Sequence, residues 1–189
     1  MYKTRLHLAT YKTQIVFLVK LITIYLALYF IVKIFIGVTS EGGALYSPWL
    51  DIHFDVISGF RNILLGFSEY LLNTLGYDPQ RTEFTLNIDN SPGIRLVYAC
   101  MGFELICGYT ALILAYPFYG KRTVIYLLSG IVLIELLNII RICGLTILFS
   151  HGHMSWFDTV DHHDIFNFTV VISLIIVYIT YLKGIKSAE

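Results

Sequence analysis

Long apolar runs dominate the pattern of hydrophobic and polar positions. One covers 14–38, and three more cover 101–119, 123–149 and 165–182. At about 1.5 Å of rise per residue, each run is close to the length that crosses about 30 Å of hydrocarbon. The pattern predicts an all-α integral membrane protein with about four transmembrane helices.

The stretch 54–77 is apolar in a different way, because Arg61, Glu69 and Asn73 interrupt it. Polar residues on one side and leucines on the other are typical of an amphipathic helix, which lies in the membrane interface or packs against other helices. A fifth span here would turn the later basic residues outward, against their preference for the cytoplasm. We therefore predict an interfacial helix on the outer side.

After residue 78, the long apolar runs give way to short segments typical of strands and turns. Residues 82–88 alternate polar and apolar side chains, 89–93 is rich in turn formers, and 94–98 is β-prone, which predicts a small extracytoplasmic β-hairpin. The whole chain, 1–189, is predicted to be a single transmembrane domain. Its parts are an N-terminal anchor helix at 1–40, an extracytoplasmic region at 41–98 and a helical core at 99–183.

Composition agrees with a membrane location. Hydrophobic residues make up 57% of the 189 residues and charged ones only 14%, which indicates an integral membrane protein surrounded by a lipid bilayer. The formal net charge is zero, and no run of lysine or arginine is present. A nucleic acid is therefore not expected as a partner.

Three chemically reactive residues each lie about one bilayer thickness from a basic residue at the other end of a predicted helix. Cys100, Arg141 and His163 each lie about 28–31 Å along a presumed helix from a lysine or arginine at its other end. The basic anchors are Lys121, Arg122 and Lys183. Because basic residues prefer the cytoplasmic side, the three reactive residues are expected to meet at the outer face.

Cys100 is the candidate nucleophile, because it lies where the predicted hairpin enters a helix. A helix N-terminus favours the thiolate, which is the nucleophilic form of cysteine. Cys107 and Cys143 have apolar neighbours and are interpreted as packing residues. An odd number of cysteines in apolar runs is also unlike a secreted disulfide framework.

Arg141 interrupts an apolar helix, where a guanidinium is costly unless it is paired or reaches water by snorkelling. Asn138 lies three residues earlier on the same helical face, so the two side chains are able to present donors to one oxyanion or carboxylate. Glu104 is a candidate counter-ion of Arg141. Glu135 is the alternative, and the sequence does not choose between them.

His163 belongs to the segment Asp-His-His-Asp at 161–164. A neutral imidazole accepts a thiol proton, and a neighbouring carboxylate orients it. His162 is the alternative histidine. A solvated loop or a zinc site would also explain these residues, but no HExxH or CxxC spacing supports zinc, and we expect no cofactor. The groups available to such a metal are His151, His153, His162, His163, Asp158, Asp161 and Asp164.

Three short motifs resemble those of the exosortase and archaeosortase family. The segment Tyr-Ala-Cys-Met-Gly-Phe-Glu at 98–104 resembles the family's nucleophile motif, and Asn-Ile-Ile-Arg at 138–141 is similar to its asparagine-to-arginine motif. The histidine that begins the following span resembles the third motif. Met101 replaces a usual serine and Asn167 a usual glycine. The resemblance covers roughly 83–181 and indicates a compact member.

The resemblance implies a membrane cysteine peptidase or transpeptidase. Its expected partners are exported proteins with a C-terminal hydrophobic sorting tail, and its expected location is the inner membrane of a prokaryote, with the site facing outward. Cys100 would attack the scissile carbonyl, Arg141 would stabilise the oxyanion and His163 would transfer protons through a thioester cycle. Asn138, Glu104 and His162 are the predicted supporting residues.

Two other classes of function remain open on the sequence. One is a non-catalytic membrane scaffold or assembly factor, in which the three residues have no chemical role. The other is a metal-binding membrane protein that uses the external histidines and aspartates. The oligomeric state, the substrate and the acceptor group are not predicted.

Overall fold

The apolar runs fold as helices around a small sheet. The computed structural model describes residues 2–40, 45–89, 91, 93–116, 120–152 and 162–186, and among these the side chains of 11–40, 45–89, 91, 93–116, 120–152 and 167–183. In chain order, the elements are α1 (Tyr2–Thr39), α2 (Pro48–Phe54), α3 (Val56–Thr74), β1 (Pro79–Arg81), β2 (Thr85–Ile88), β3 (Ile94–Arg95), a 3₁₀ turn (Tyr98–Cys100), α4 (Phe103–Ala115), α5 (Lys121–Ser150) and α6 (His162–Lys186).

Two of the described helices are long and apolar enough to cross a membrane, over Tyr11–Thr39 and Lys121–Ser150. Two shorter apolar helical segments are Phe103–Ala115 and Asn167–Lys183. Large apolar side chains of α1 point outward, and Phe30 is 58% exposed, as is expected of a helix that contacts lipid. The count of four spans depends on the two shorter segments and stays a prediction.

The helix α4 is shorter than the sequence predicts. It has 13 residues and ends at Ala115, where Tyr116 adopts an extended conformation. The residue before a proline is disfavoured in the α region, and Pro117 follows. The distance from Cys100 to Lys121 is therefore not the length of one continuous helix, which corrects the estimate of about 31 Å.

The stretch 54–77, predicted as one amphipathic helix, corresponds to α3, which begins directly after Asp55. The Asp55 carboxylate accepts a hydrogen bond from the backbone N–H of Ser58 at 2.9 Å and caps α3. The buried positions of α3 recur at helical spacing, as the amphipathic pattern predicts, and α3 is not among the candidate membrane spans. The buried residues are Ile57, Arg61, Leu64, Leu65, Ser68 and Leu72.

A three-stranded antiparallel sheet stands where a hairpin is predicted. Its order is β1-β2-β3, and the predicted hairpin corresponds to the pairing of β2 with β3. The additional strand, β1, contains only Pro-Gln-Arg, which has little intrinsic strand propensity. It is ordered by pairing with β2, in which Arg81 opposes Leu86.

Two hydrophobic clusters meet along α5. One joins α3 and the sheet to the C-terminal half of α5, and it includes Leu65, Leu86 and Ile142. The other joins α4 and α6 to the N-terminal half of α5, and it includes Ile113 and Ile134. Cys100 packs against the first cluster. The candidate nucleophile therefore lies where the extramembrane layer joins the helices.

Candidate functional site

Cys100 is the last residue of the 3₁₀ turn that connects the sheet to α4. Its backbone N–H donates to the Val97 carbonyl at 2.8 Å, and its side chain is partly buried. The first residue of α4 is Phe103, so Cys100 precedes the α-helix instead of starting it. The prediction of a thiol at an α-helical N-terminus therefore needs this correction.

Gly102 makes the sharp connection from the turn into α4. Its φ of 72° lies in the left-handed region, which glycine adopts without a steric penalty. An added Cβ would come within 3.0 Å of Glu135 Oε1 and 3.4 Å of Ile134 Cγ2. The backbone beside Cys100 thus passes close to α5. Its positive φ favours glycine, and a Cβ at this position would require the Glu135 side chain to shift slightly.

Asn138 anchors this turn to α5. Its side chain is fully buried, and its Nδ2 donates to the Cys100 carbonyl oxygen at 3.0 Å. We predicted that Asn138 and Arg141 present donors to one point, whereas the structure places an Asn138 donor on the main chain of the candidate nucleophile. Asn138 therefore fixes the position of Cys100 relative to α5.

Arg141 lies one helical turn beyond Asn138 and reaches the thiol. Its Nη2 is 3.8 Å from Cys100 Sγ. A guanidinium at this distance stabilises negative charge on the sulfur, or on an oxygen of a carbon atom that is bonded to the sulfur. The structure thus brings the cysteine and the arginine together, as predicted.

A cavity of about 260 Å³ opens beside the thiol and the guanidinium. Three apolar residues of its wall, Ile142, Leu145 and Phe149, belong to the C-terminal part of α5. Sequence reasoning did not single out these apolar residues. Leu145 and Phe149 follow Arg141 at intervals of four residues, so Arg141, Leu145 and Phe149 share one helical face. The full lining is Gly93, Ile94, Arg95, Leu96, Val97, Cys100, Arg141, Ile142, Leu145 and Phe149.

The two candidate histidines lie at the start of α6. His162 is its first residue and His163 its second, in agreement with the expectation that a histidine begins the last helix. Both side chains lie outside the part of the chain whose side chains are described. Most of the predicted metal-binding loop, 153–161, lies outside the described residues as well.

Glu104 points to α1 instead of Arg141. Its Oε1 lies 3.9 Å from Lys33 Nζ, and both side chains are more than half exposed. An exposed pair of this kind contributes little to stability, but it shows that Glu104 has a different partner from the one predicted. The cause is the packing of α1 along α4, which sequence spacing does not reveal.

Glu135 is a partly buried acid of α5 beside the Gly102 connection. Both of its carboxyl oxygens, together with Asn138 Oδ1, are buried and have no hydrogen-bond partner among the described residues. Glu135 and Asn138 are three residues apart, so they share one face of α5. In the described part of the site, the Glu135 carboxyl group therefore lies beside the Asn138 side chain, without a well-formed hydrogen bond to either carboxyl oxygen.

We expect Glu135→Gln to stabilise the fold by about 1–3 kcal/mol. The glutamine amide removes one acceptor and offers an N–H to Asn138 Oδ1, which a carboxylate does not. Thermal unfolding of the detergent-solubilised chain measures the effect. Glu135→Ala, which supplies no donor, is the control and is expected to give no such gain. A loss of stability in Glu135→Gln would mean that the carboxyl group already satisfies its neighbours.

The comparisons with known proteins bear on the same residues. Neither a search of curated proteins nor a search of solved structures finds a match. The family model of the transmembrane exosortases matches residues 43–180, a stretch that contains the sheet, the Cys100 turn, Arg141 and the start of α6. This match covers well over half of the chain. Together with the long apolar helices, it shows that the chain is a membrane protein and belongs to the transmembrane exosortase family.

Proposed function

We propose that this protein is a membrane-embedded cysteine peptidase or transpeptidase that cleaves C-terminal sorting signals of exported proteins. Family membership supports a membrane transpeptidase in protein sorting. The observation that carries the cysteine mechanism is the 3.8 Å approach of Arg141 Nη2 to Cys100 Sγ beside an open cavity. A thiol, a fixed positive charge and an open cavity lie side by side, which supports this proposal.

The proposed reaction proceeds through two acyl transfers. The Cys100 thiolate attacks the scissile carbonyl carbon and forms a C–S bond, and the negative charge that develops on oxygen is stabilised by Arg141. The C–N bond then breaks, and the leaving amine takes a proton from His163 or His162. An acceptor amine, a lipid-linked group or water attacks the thioester, transfers its proton to the histidine and releases the thiolate.

The distribution of charge supports an outward-facing site in the inner membrane. The exposed Lys121 and Arg122 begin α5, whereas Arg141 and the sheet lie towards its other end. Since basic residues prefer the cytoplasmic side, the beginning of α5 faces the cytoplasm and the cavity faces outward. A substrate whose apolar tail lies in the bilayer then reaches Cys100 by diffusion in the membrane plane.

Replacing Cys100 tests the proposal. In cells that carry Cys100→Ala, exported proteins with a hydrophobic C-terminal tail are expected to accumulate as precursors, with processing slowed by at least about 10³-fold because the nucleophile is absent. Mass spectrometry of intact C-termini measures the effect and identifies the precursors. Cys107→Ala is the control, because Cys107 is 5% exposed and lies within α4.

The outcomes separate the proposed peptidase from the other classes. Precursors that accumulate only in Cys100→Ala cells support the peptidase and name its substrates. Normal maturation in Cys100→Ala cells, at an unchanged level of the protein, would contradict the thiol mechanism and favour a scaffold. Equal accumulation in the Cys107→Ala control would show that the helical packing, and not the thiol, is required.

A further inference from the structure

The strand β3 is an edge strand, since the order of the sheet is β1-β2-β3. In its pairing with β2, Ile94 opposes Leu86 and Arg95 opposes Thr85. The next residue, Leu96, donates its backbone N–H to the Phe84 carbonyl at 2.8 Å. In an antiparallel pair, residues that bond to the partner strand alternate with residues that do not. The backbone N–H and C=O of Arg95 therefore point away from β2.

The cavity beside Cys100 lies along this outer edge. Five consecutive residues, from Gly93 to Val97, line it, whereas no residue of β1 or β2 does. Successive side chains of a strand point to opposite faces, so a space that touches five residues in a row lies along the edge of the strand. The facing wall is the α5 surface that contains Leu145 and Phe149.

The same cavity is lined by Cys100 and Arg141. A chain that lies along β3 would therefore run between the edge of the sheet and α5, next to the thiol and the guanidinium. An extended peptide fits this edge, because its backbone offers hydrogen-bond partners to the N–H and C=O of Arg95, which point away from β2. The strand β3 has only two residues. It therefore pairs with only a few residues of the peptide, those nearest the reacting carbonyl.

We infer that the substrate segment next to the scissile bond binds as an added β-strand on the outer edge of β3, paired with the backbone of Arg95. This inference rests on the proposed function. The occupant is an extended peptide segment of an exported protein with a membrane-embedded tail. Because main-chain hydrogen bonds supply the affinity, this subsite selects an extended backbone more than particular side chains.

Arg95→Pro tests the inference, because proline has no backbone N–H. Proline is tolerated on an edge strand where the N–H faces away from the ladder, and the bonds to β2 come from Ile94 and Leu96. The matched control is Arg95→Ala, which keeps the N–H and removes the guanidinium that lies 5.8 Å from the Phe84 ring. The substrates are the precursors that accumulate in Cys100→Ala cells.

We expect precursor maturation in Arg95→Pro to be at least tenfold slower than in Arg95→Ala, because both variants lack the guanidinium and only the proline lacks the backbone N–H. The rate at which iodoacetamide alkylates Cys100 in isolated membranes is expected to be the same in both variants, which reports an intact thiol environment. Maturation at the wild-type rate in Arg95→Pro would overturn the inference. Equal losses in both variants would also overturn it, because they would assign recognition to the side chain.

A changed alkylation rate in Arg95→Pro would indicate a disturbed site, and the test then moves to the substrate. Proline is placed in turn at each of the residues that flank the cleavage site of a precursor. Loss of maturation at one or two positions next to the bond supports strand pairing, and equal maturation of all variants overturns it. Precursors that mature without Cys100 would refute the proposed function itself, whereas Cys100-dependent maturation that is insensitive to these prolines refutes only the inference.

Discussion

Replacing Arg141 by lysine is expected to slow precursor processing by about 10²–10³-fold, although the charge is kept. The guanidinium is a planar fork, and one of its nitrogens lies 3.8 Å from Cys100 Sγ. A fork that contacts the sulfur is able to donate a second N–H to an oxyanion on the adjacent carbon, whereas an ammonium is a single flexible point charge. The rate of appearance of the mature protein measures the effect.

The matched control for this prediction is Arg122→Lys, at an exposed position at the other end of α5. It makes the same chemical change on the same helix, far from the thiol, and is expected to leave processing unaltered. A wild-type rate in Arg141→Lys would show that positive charge alone is needed. A wild-type rate in Arg141→Ala would contradict any role of Arg141 in stabilising the oxyanion.

Gly130→Ala is expected to lower the free energy of unfolding by about 1–3 kcal/mol or more. An added Cβ at this position of α5 would overlap the Tyr109 ring of α4. The ring is 3% exposed, and its hydroxyl donates to the Tyr126 carbonyl oxygen at 2.6 Å. Burial and this hydrogen bond fix the position of the Tyr109 ring. To accommodate the added Cβ, α4 and α5 must move apart or the hydrogen bond to Tyr126 must break. Thermal unfolding in detergent measures the loss.

Gly144→Ala provides the comparison on the same helix. An added Cβ at Gly144 meets nothing within 4 Å, so alanine is expected to be neutral or slightly stabilising, as its helix propensity exceeds that of glycine. Equal stability of the two variants would show that α4 and α5 do not pack closely at Gly130. Nothing in the sequence distinguishes these glycines, since both lie in apolar helical surroundings.

Local patterns in the sequence predicted most of the helices. The run at 123–149 corresponds to α5 (Lys121–Ser150), because a long, uniformly apolar segment leaves no other way to satisfy the backbone in a membrane. The predicted end of α4, at residue 119, was wrong, although Pro117 indicates an earlier end. The strand β1 was missed for a different reason, since it is stabilised by its pairing with β2 and not by its own residues.

The site shows the same division between local and tertiary information. Distances to the basic anchors predicted that Cys100 and Arg141 meet, and the structure brings them together, although the segment from Cys100 to Lys121 is not one continuous helix. The hydrogen bond from Asn138 to the Cys100 carbonyl depends on how a non-helical turn folds against α5, and the pairing of Glu104 depends on the neighbouring α1. Neither contact follows from periodicity, because each joins residues through tertiary packing.

The hydrogen bond between Asn138 and the Cys100 carbonyl has a mechanical consequence. The hydrogen bond attaches the 3₁₀ turn that contains Cys100 to α5. The guanidinium is attached to the same helix, because Arg141 lies one helical turn beyond Asn138. Bilayers of different thickness change the tilt of a transmembrane helix. A tilt of α5 carries both groups along as one rigid body, so their spacing is expected to persist when the thickness of the surrounding membrane changes.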